Sequence, residues 1–378
     1  MTGPIVLASG GTGGHLFPAR ALAERLVDLG REVALVTDRR GVDLGAGLAG
    51  VPVHTVRSAA MAGRRLSGRL TGAVDLLVGT WEARRLMRQM GAVCVVGFGG
   101  YPSVPPVMAA SRLGLPCLIH EQNAVLGRAN RLLASRVDIV ATSFAETAGL
   151  PSSSRARVVV TGNPVRPEIA ALGDRPYEAP NGDGRLRILI IGGSQGARVL
   201  SDIVPAALET LPAGARGRVL ITQQCRPEDI ERVREAYDRL GVQAELATFF
   251  DDMAVRLDNS QLVISRAGAS SVAEIAAAGK PAILVPYRFA ADDHQSANAA
   301  AVEADGAAWM MPEAAFTPEA LAARLEALIA APHALETTAG RARRRARLQA
   351  ARDLAVLVER LAPANGDHDD APLREEAA

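Results

Sequence analysis

Two stretches of the chain, about 180 residues apart, repeat one order of features: an apolar strand, a glycine-rich loop and an amphipathic helix. In the first, IVLAS (5–9) runs into GGTGGHLFP (10–18), and in the second, RLRILII (185–191) runs into GGSQG (192–196). Short, continuous apolar strands that alternate with helices are typical of parallel sheets buried on both faces. Because the whole pattern restarts, we predict two doubly wound α/β domains rather than one large sheet.

The boundary between the two domains is predicted from composition. The segment 161–184 is rich in proline and glycine, which marks it as the joint. We expect an N-terminal domain over residues 1–163, a C-terminal domain over 164–340, and a disordered tail over 363–378, where the sequence is charged and nearly free of large apolar residues. The last helical segment, about 341–362, can pack on either domain, including back on the N-terminal one.

Composition excludes several classes of protein. The 378 residues carry a formal net charge of +1, which argues against a general nucleic-acid binder. The only lysine, Lys280, is followed by proline, so a Walker A loop, in which Gly-Lys precedes Ser or Thr, is excluded. The three cysteines have no metal-ligand spacing and indicate reduced thiols. No apolar run approaches the ~18–20 residues of a membrane span and no signal peptide is visible, so we expect a soluble, cytosolic protein.

The first glycine loop has the features of an anion site. Ligands of open parallel sheets bind beyond the carboxyl ends of the strands, where this loop lies. GGTGGH directs backbone amides and a helix N-terminus at one point, which favours a negative charge. A tight turn alone is the simpler interpretation, but GFGGYP (97–102) and GGSQG in the same chain make it less attractive.

The second half of the chain supplies groups that suit a nucleotide sugar. A helix is predicted to begin near Ala269, which places Ser270 and Ser271 in its first turn, where they suit a phosphate. Glu274, one turn later, can accept two hydrogen bonds from a ribose diol. The segment DDHQSANAA (292–300) adds an imidazole and two amides, from His294, Gln295 and Asn298, and amides suit sugar hydroxyls.

A nicotinamide-dependent oxidoreductase is the alternative from another enzyme class. Gly11 and Gly13 fit the G-x-G-x-x-G pattern, but Leu16 occupies its third position. Asp38, at the end of the second strand, imitates the acid that binds a ribose hydroxyl. The match is therefore partial.

A set of motifs, in order over about residues 5–305, resembles the MurG family, the UDP-N-acetylglucosamine transferases of peptidoglycan synthesis within the GT-B glycosyltransferases. The matching motifs are GGTGGHLFPA, GFGGYPSVPP, HEQNAVLGRAN, TGNPVR, GGSQGARVLS, FFDDM, SRAGASSVAEIAAAGKPAILVP and DDHQSANA. HEQN and GGSQGA are the most specific of these. The resemblance implies the GT-B architecture, in which two Rossmann-like domains face each other across a cleft.

The reaction that this resemblance implies is an inverting transfer of N-acetylglucosamine. The donor is UDP-N-acetylglucosamine, the acceptor is the 4-hydroxyl of the muramoyl sugar on undecaprenyl-diphosphate-linked lipid I, and the products are lipid II and UDP. No tightly bound cofactor or divalent cation is expected, because helix N-termini can stabilise the leaving diphosphate. A UDP-N-acetylglucosamine 2-epimerase of the same fold remains an alternative, as does a nucleotide-sugar-binding protein without catalysis.

The resemblance also implies roles for individual residues. From its own position, at the mouth of the first glycine loop and on the domain opposite the donor pocket, His15 is the expected catalytic base, since imidazole has an ordinary pKa of ~6.5; the resemblance also allows a cap of the loop or a contact to the lipid diphosphate. Glu274 is expected on the ribose, the backbone of Phe250 on the uracil, and Gln295 on the sugar hydroxyls, with Arg166 closing on the donor. The full set of expected donor contacts is Thr12, Gly13, Gly14, Asn123, Arg166, Ser194, Phe250, Ala269, Ser270, Ser271, Val272, Ala273, Glu274 and Gln295. The candidates for a loop that binds the acceptor or its diphosphate are Gly99, Gly100, Tyr101 and Glu121.

A lipid-linked acceptor requires a membrane-facing surface, and residues 61–90 are the candidate. They carry six arginines against Asp75 and Glu82. An apolar strip is predicted from Leu70, Val74, Leu77, Val78 and Trp81. This composition suits a helix that lies on the anionic cytoplasmic leaflet of the cell membrane, and packing of the same strip in a protein core is the alternative. A peripheral position on the membrane would also bring the protein near other cell-wall synthesis enzymes, which are expected partners.

Overall fold

A computed structural model describes the chain over residues 3–10, 13–38, 50–58, 66–151, 156–180, 184–193 and 196–362, without the side chains of 66–71. Thr12 and Ser194, two of the expected donor contacts, lie outside the described residues, as does the tail 363–378.

The first domain is built on seven parallel strands. They are β1 (Ile5–Ala8), β2 (Val33–Thr37), β3 (Val53–Thr55), β4 (Cys94–Gly97), β5 (Cys117–Glu121), β6 (Ile139–Thr142) and β7 (Arg157–Val160). Their order in the sheet is β3-β2-β1-β4-β5-β6-β7. The helices of this domain are α1 (Gly13–Asp28), α2 (Leu66–Met90), α3 (Val104–Leu113) and α4 (Arg128–Leu133), with a 3₁₀ turn at Tyr101–Ser103. Strands β1, β4, β5 and β6 are buried along their whole length, because helices cover both faces of the sheet, and this explains their continuous apolar sequence.

The second domain repeats this design with six parallel strands. They are β8 (Leu186–Ile191), β9 (Val219–Gln224), β10 (Ala244–Ala247), β11 (Leu262–Ser265), β12 (Ala282–Leu284) and β13 (Trp309–Met310). Their order is β10-β9-β8-β11-β12-β13. The helices from the joint onward are α5 (Pro167–Ala170), α6 (Arg198–Thr210), α7 (Ala213–Arg216), α8 (Ile230–Leu240), α9 (Met253–Asn259), α10 (Ala269–Ala277), α11 (His294–Ala304), α12 (Pro318–Ala330), α13 (Pro332–Arg345) and α14 (Ala350–Leu361). The prediction of two doubly wound parallel-sheet domains is confirmed.

The C-terminal helical segment is two helices, not one. Helix α13 ends at Arg345, and α14 begins at Ala350. The apolar face of α14, with Leu354, Leu357 and Val358, is buried in the core of the first domain against α1. An ion pair of 2.7 Å between Arg31 and Glu359 adds to this contact. The chain therefore returns to the first domain after it completes the second.

Candidate active site

The carboxyl ends of the two sheets meet at a cleft between the domains. On one side lie the loop after β1 and the segments that follow β4 and β5; on the other lie the loops after β11 and β12. The first turns of α1 and α10 touch, since the Ser270 hydroxyl donates to the Gly14 carbonyl oxygen at 3.4 Å. Two helix N-termini therefore contribute their partial positive charge to one region of the cleft.

His15 lies on the first turn of α1, with its ring against the turn Gly99–Gly100. Both glycines have positive φ, 84° and 72°, which side chains adopt only under strain. A Cβ on Gly99 would lie 3.3 Å from two atoms of the His15 ring, and one on Gly100 would lie 3.0 Å from the Cα of Gly10. These predicted acceptor-loop residues therefore form the surface on which the imidazole rests.

The tautomer of His15 follows from its neighbour Gln122. The Gln122 amide nitrogen donates to the Phe98 carbonyl at 2.9 Å and lies 3.1 Å from Nδ1 of His120, which fixes the orientation of the amide. Its oxygen must then accept from His15 Nδ1 at 3.2 Å, so the proton sits on Nδ1 and Nε2 keeps its lone pair. Burial lowers the pKa of His15 below 6.5 and so favours the neutral ring, and the negative charge of Glu121 opposes this shift.

His120 completes this chain of contacts. Its Nε2 donates to the Gly162 carbonyl at 2.9 Å, and burial lowers its pKa to about 4, so it is neutral. Its Nδ1 is therefore free to accept from Gln122. Sequence reasoning missed the role of Gln122, although its place between His120 and Asn123 in the HEQN motif is the signal that marks it.

Glu121 differs from its expected role as an acceptor contact. The residue is 1% exposed, and its carboxylate accepts from the backbone and side chain of Asn123, from Gly127 N and from Asn130 Nδ2, at 2.8–3.1 Å. Both oxygens are occupied by protein donors. The geometry therefore makes Glu121 a residue that positions Asn123, not one that touches a ligand.

On the opposite wall, α10 begins at Ala269, as predicted, with Gly268 as its N-cap. The amides of Ala269, Ser270 and Ser271 occupy the first three helical positions, where an α-helix offers no internal partner. The expected donor contact of Val272 is not supported. Its side chain is buried, and its N–H donates to the Gly268 carbonyl at 2.9 Å, so it has no group left for a ligand. Ala273 lies on the same helix, facing the joint, beside a small cavity that Asn163 also lines.

Glu274 and Arg166 are brought together, and they bind each other. Arg166 Nε and Nη2 donate to the two Glu274 carboxylate oxygens at 2.9 and 3.0 Å. Burial raises the pKa of Glu274, and the guanidinium opposes that rise. The Arg166 guanidinium also lies 5.6 Å from the centre of the Phe17 ring on α1. The pair thus joins the donor wall to the first domain, and each carboxylate oxygen retains a lone pair for a diol.

Gln295 presents its amide nitrogen to the cleft. Its side-chain oxygen accepts from Ala267 N at 3.3 Å and from Tyr287 N at 2.9 Å, which fixes that oxygen toward the backbone. The NH₂ group is left as a double donor for hydroxyl oxygens. Phe250 is buried, and the Arg256 guanidinium lies 4.9 Å from its ring centre, so its side chain packs within the protein.

Asn298 is buried completely and does not reach a sugar, contrary to expectation. Its oxygen accepts from Ala124 N at 2.8 Å, and its amide nitrogen donates to Asn123 Oδ1 at 3.1 Å and to the Ala267 carbonyl at 3.0 Å. Asn298 therefore joins the loop after β5 in one domain to the loop after β11 in the other. Asn123 therefore has a hydrogen-bond partner in each domain, Glu121 in the first and Asn298 in the second.

An exposed strip runs along α2. Val74, Leu77 and Trp81 are 51%, 65% and 62% exposed and recur at helical spacing, and the exposed Arg84 and Arg88 continue the same line. Val78 is partly buried, and the Leu70 side chain lies outside the described set. No described helix is long and apolar enough to cross a membrane.

Among the described residues, no group of three or more His, Cys, Asp or Glu side chains is placed to hold a metal ion. The three cysteines are free and buried.

Comparison with known proteins gives consistent matches. Residues 5–142 match the glycosyltransferase family 28 N-terminal domain, and 187–357 match the family 28 C-terminal domain. A protein of Rhodospirillum centenum is 55% identical over 355 residues, covering 94% of this chain and 93% of its own; one of Paramagnetospirillum magneticum is 50% identical over 359 residues, covering 95% and 97%. Both are named UDP-N-acetylglucosamine–N-acetylmuramyl-(pentapeptide) pyrophosphoryl-undecaprenol N-acetylglucosamine transferase. The crystal structure of Acinetobacter baumannii MurG matches with a TM-score of 0.76 at 32% identity, covering 94% of this chain and 99% of that one.

Proposed function

Because the chain belongs to the MurG family within glycosyltransferase family 28, we propose that it transfers N-acetylglucosamine from UDP-N-acetylglucosamine to the 4-hydroxyl of the muramoyl sugar of lipid I. The products are lipid II and UDP. The observation that carries this assignment to the cleft is the position of His15 on the first turn of α1, which touches the first turn of α10 through Gly14 and Ser270.

The donor binds mainly to the second domain. Glu274 accepts from the ribose hydroxyls while Arg166 orients the carboxylate, and Gln295 donates from its NH₂ group to hydroxyls of the sugar. The backbone at Phe250 meets the uracil edge. The diphosphate lies against the first turn of α10, where amide donors have no partner within the helix.

The leaving diphosphate is stabilised by fixed dipoles. The N-termini of α1 and α10 both reach the region in which Ser270 contacts Gly14, and preorganised donors of this kind stabilise a developing charge without reorganisation. A tightly bound cofactor or divalent cation is not required by this arrangement.

His15 acts as the general base for the acceptor hydroxyl. Inversion at the sugar needs a single displacement, in which one group removes the acceptor proton as the new bond forms. The Nδ1–H of His15 is held by Gln122, so Nε2 is the atom that takes the proton.

Helix α2 places the enzyme on the membrane that holds its acceptor. The apolar line of Val74, Leu77 and Trp81 enters the lipid interface, and Arg84 and Arg88 meet anionic headgroups. The protein is thereby peripheral on the cytoplasmic face of the cell membrane, where other cell-wall synthesis enzymes are potential partners.

Vesicle flotation tests this surface. Leu77→Glu/Trp81→Glu should abolish binding to anionic vesicles, whereas Val27→Glu/Val356→Glu, which changes two exposed apolar side chains on α1 and α14, should not. Binding by the folded α2 variant would reject α2 as the membrane face.

The reaction itself is tested with radiolabelled UDP-N-acetylglucosamine and a lipid I analogue. Lipid-linked labelled disaccharide is the expected product. Recovery of the label as a nucleotide-linked 2-epimer would establish the epimerase instead, and bound but unconverted donor would indicate a binding protein.

A further inference from the structure

The loop between β12 and α11 holds two strained residues directly before the donor-side helix. Asp292 and Asp293 have φ values of 53° and 52°, and among the described residues they are the only non-glycine residues with positive φ. This left-handed conformation costs an L-residue free energy, although Asp tolerates it better than most, and such strain persists only where surrounding contacts hold it. The structure of this loop therefore depends on its contacts.

The contact that holds Asp292 comes from the other domain. Arg128, the first residue of α4, donates from Nη2 to Asp292 Oδ1 at 2.9 Å and from Nε to Oδ2 at 3.1 Å. This is the paired geometry in which a guanidinium fixes the plane of a carboxylate as well as its position. The side chains are 54% and 28% exposed, so the pair lies at the rim of the cleft rather than in its core.

Asp293 and His294 each make a hydrogen bond within the loop and its helix. Ser296 Oγ donates to Asp293 Oδ1 at 2.7 Å, and His294 Nδ1 donates to the Ala291 carbonyl at 2.7 Å. Gln295 follows directly, and its oxygen is anchored to Tyr287 N at the start of the same loop. A shift of the loop would therefore move both the amide of Gln295 and one of the two donors that orient it.

We propose that Arg128 is a positioning residue for the donor sugar: its pair with Asp292 fixes the loop 287–293 and thereby orients the NH₂ group of Gln295. Because Arg128 belongs to the first domain and Gln295 to the second, the sugar contact is complete only when the domains have this spacing. The effect is confined to the sugar, since the uridine and diphosphate contacts lie on α10 and near Phe250. This inference rests on the proposed donor, UDP-N-acetylglucosamine.

Binding of UDP-N-acetylglucosamine and of UDP, each measured by calorimetry, tests the proposal. Arg128→Met should weaken UDP-N-acetylglucosamine binding about threefold to fivefold, in line with the loss of one well-formed rim ion pair, and leave UDP binding within about twofold. Arg232→Met, which removes an exposed arginine paired with Asp202 away from the cleft, is the matched control and should change neither.

Two variants at Asp292 separate positioning from backbone strain. Asn tolerates positive φ and Gly adopts it freely, so Asp292→Asn and Asp292→Gly both keep the loop conformation accessible while they remove the carboxylate. Both should lose UDP-N-acetylglucosamine affinity like Arg128→Met, and Arg128→Met/Asp292→Asn should be no worse than either single change. Full affinity in Asp292→Gly, additive losses in the double variant, or equal weakening of UDP would each overturn the proposal. A wild-type protein that binds neither ligand would refute the proposed function instead.

Discussion

Replacing Gln122 by methionine should impair catalysis and stability by separable amounts. The amide oxygen of Gln122 accepts from His15 Nδ1 at 3.2 Å, and methionine has the same length but cannot accept that bond well. A neutral hydrogen bond contributes a net ~0.5–1.5 kcal/mol, which changes the ratio of the two tautomers by roughly twofold to twelvefold and lowers the population of the productive tautomer by at most that factor. We therefore expect kcat to fall measurably, by up to that factor, and the donor KM to stay within about twofold.

The same substitution leaves two buried acceptors without a donor. Phe98 O and His120 Nδ1 both accept a hydrogen bond from the Gln122 amide nitrogen, and both residues are fully buried. Each unpaired group costs ~1–3 kcal/mol, so the free energy of unfolding should fall by roughly 2–6 kcal/mol. Urea unfolding measures this loss of stability. Steady-state kinetics with a lipid I analogue, at a temperature where the variant is folded, measure the fall in kcat.

The tautomer itself can be read by nitrogen-15 NMR of the ring. The wild type should show the proton on Nδ1 of His15, and the variant a mixture. A destabilised variant with an unchanged kcat, or a wild-type ring protonated on Nε2, would refute the orientation of His15 by Gln122.

Three further substitutions give sharp expectations. Gln295→Glu keeps the acceptor oxygen but loses the NH₂ donors, so UDP-N-acetylglucosamine affinity should fall at least about tenfold while UDP affinity is kept. If the variant binds the sugar nucleotide as tightly as the wild type does, the sugar contact lies elsewhere. His120 has a pKa of about 4 in the folded state against about 6.5 in the unfolded state, so between these values only the unfolded state binds the proton. The free energy of unfolding should therefore fall by up to ~3 kcal/mol as pH drops from about 6.5 to about 4. His120→Gln should flatten this pH dependence, and an unchanged dependence would assign it to other groups. Gly99→Ala places a Cβ at positive φ against the His15 ring and should lower both unfolding free energy, by ~1 kcal/mol or more, and kcat; a wild-type kcat would show that this turn does not seat the imidazole.

The fold could be predicted from the sequence because each strand and each helix start is marked by residues that are neighbours in the chain. Continuous apolar strands and the restart near residue 185 specify two parallel sheets, and the family resemblance of the motifs is confirmed by relatives and by both domain matches. The start of α10 at Ala269 also follows from neighbours alone, since small residues after a strand end favour a helix N-terminus. The break between α13 and α14 was not foreseen, because it depends on where α14 finds an apolar surface, and that surface belongs to the first domain.

The site was less predictable, because its details depend on contacts across the two domains. Asn298 looks like a sugar ligand in sequence, yet it is buried against Ala124, 174 residues away. Glu121 is a candidate contact of the acceptor or its diphosphate in sequence, but four nearby donors enclose its carboxylate. The pair of Arg128 and Asp292 likewise joins residues 164 positions apart, which no local pattern indicates. The roles of His15 and Gln295 remain predictions that kinetics must decide.

The pH dependence of His15→Ala tests the central claim, that this cleft performs the transfer with His15 as base. A positioned base contributes ~10²–10⁴ in rate, so kcat should fall by that order while UDP-N-acetylglucosamine binds normally. Since burial lowers the pKa of His15, the wild-type rate should decline only below pH ~6.5, and this acidic limb should vanish in the variant. A fall in kcat of less than about tenfold, or an acidic limb that survives in His15→Ala, would contradict the claim.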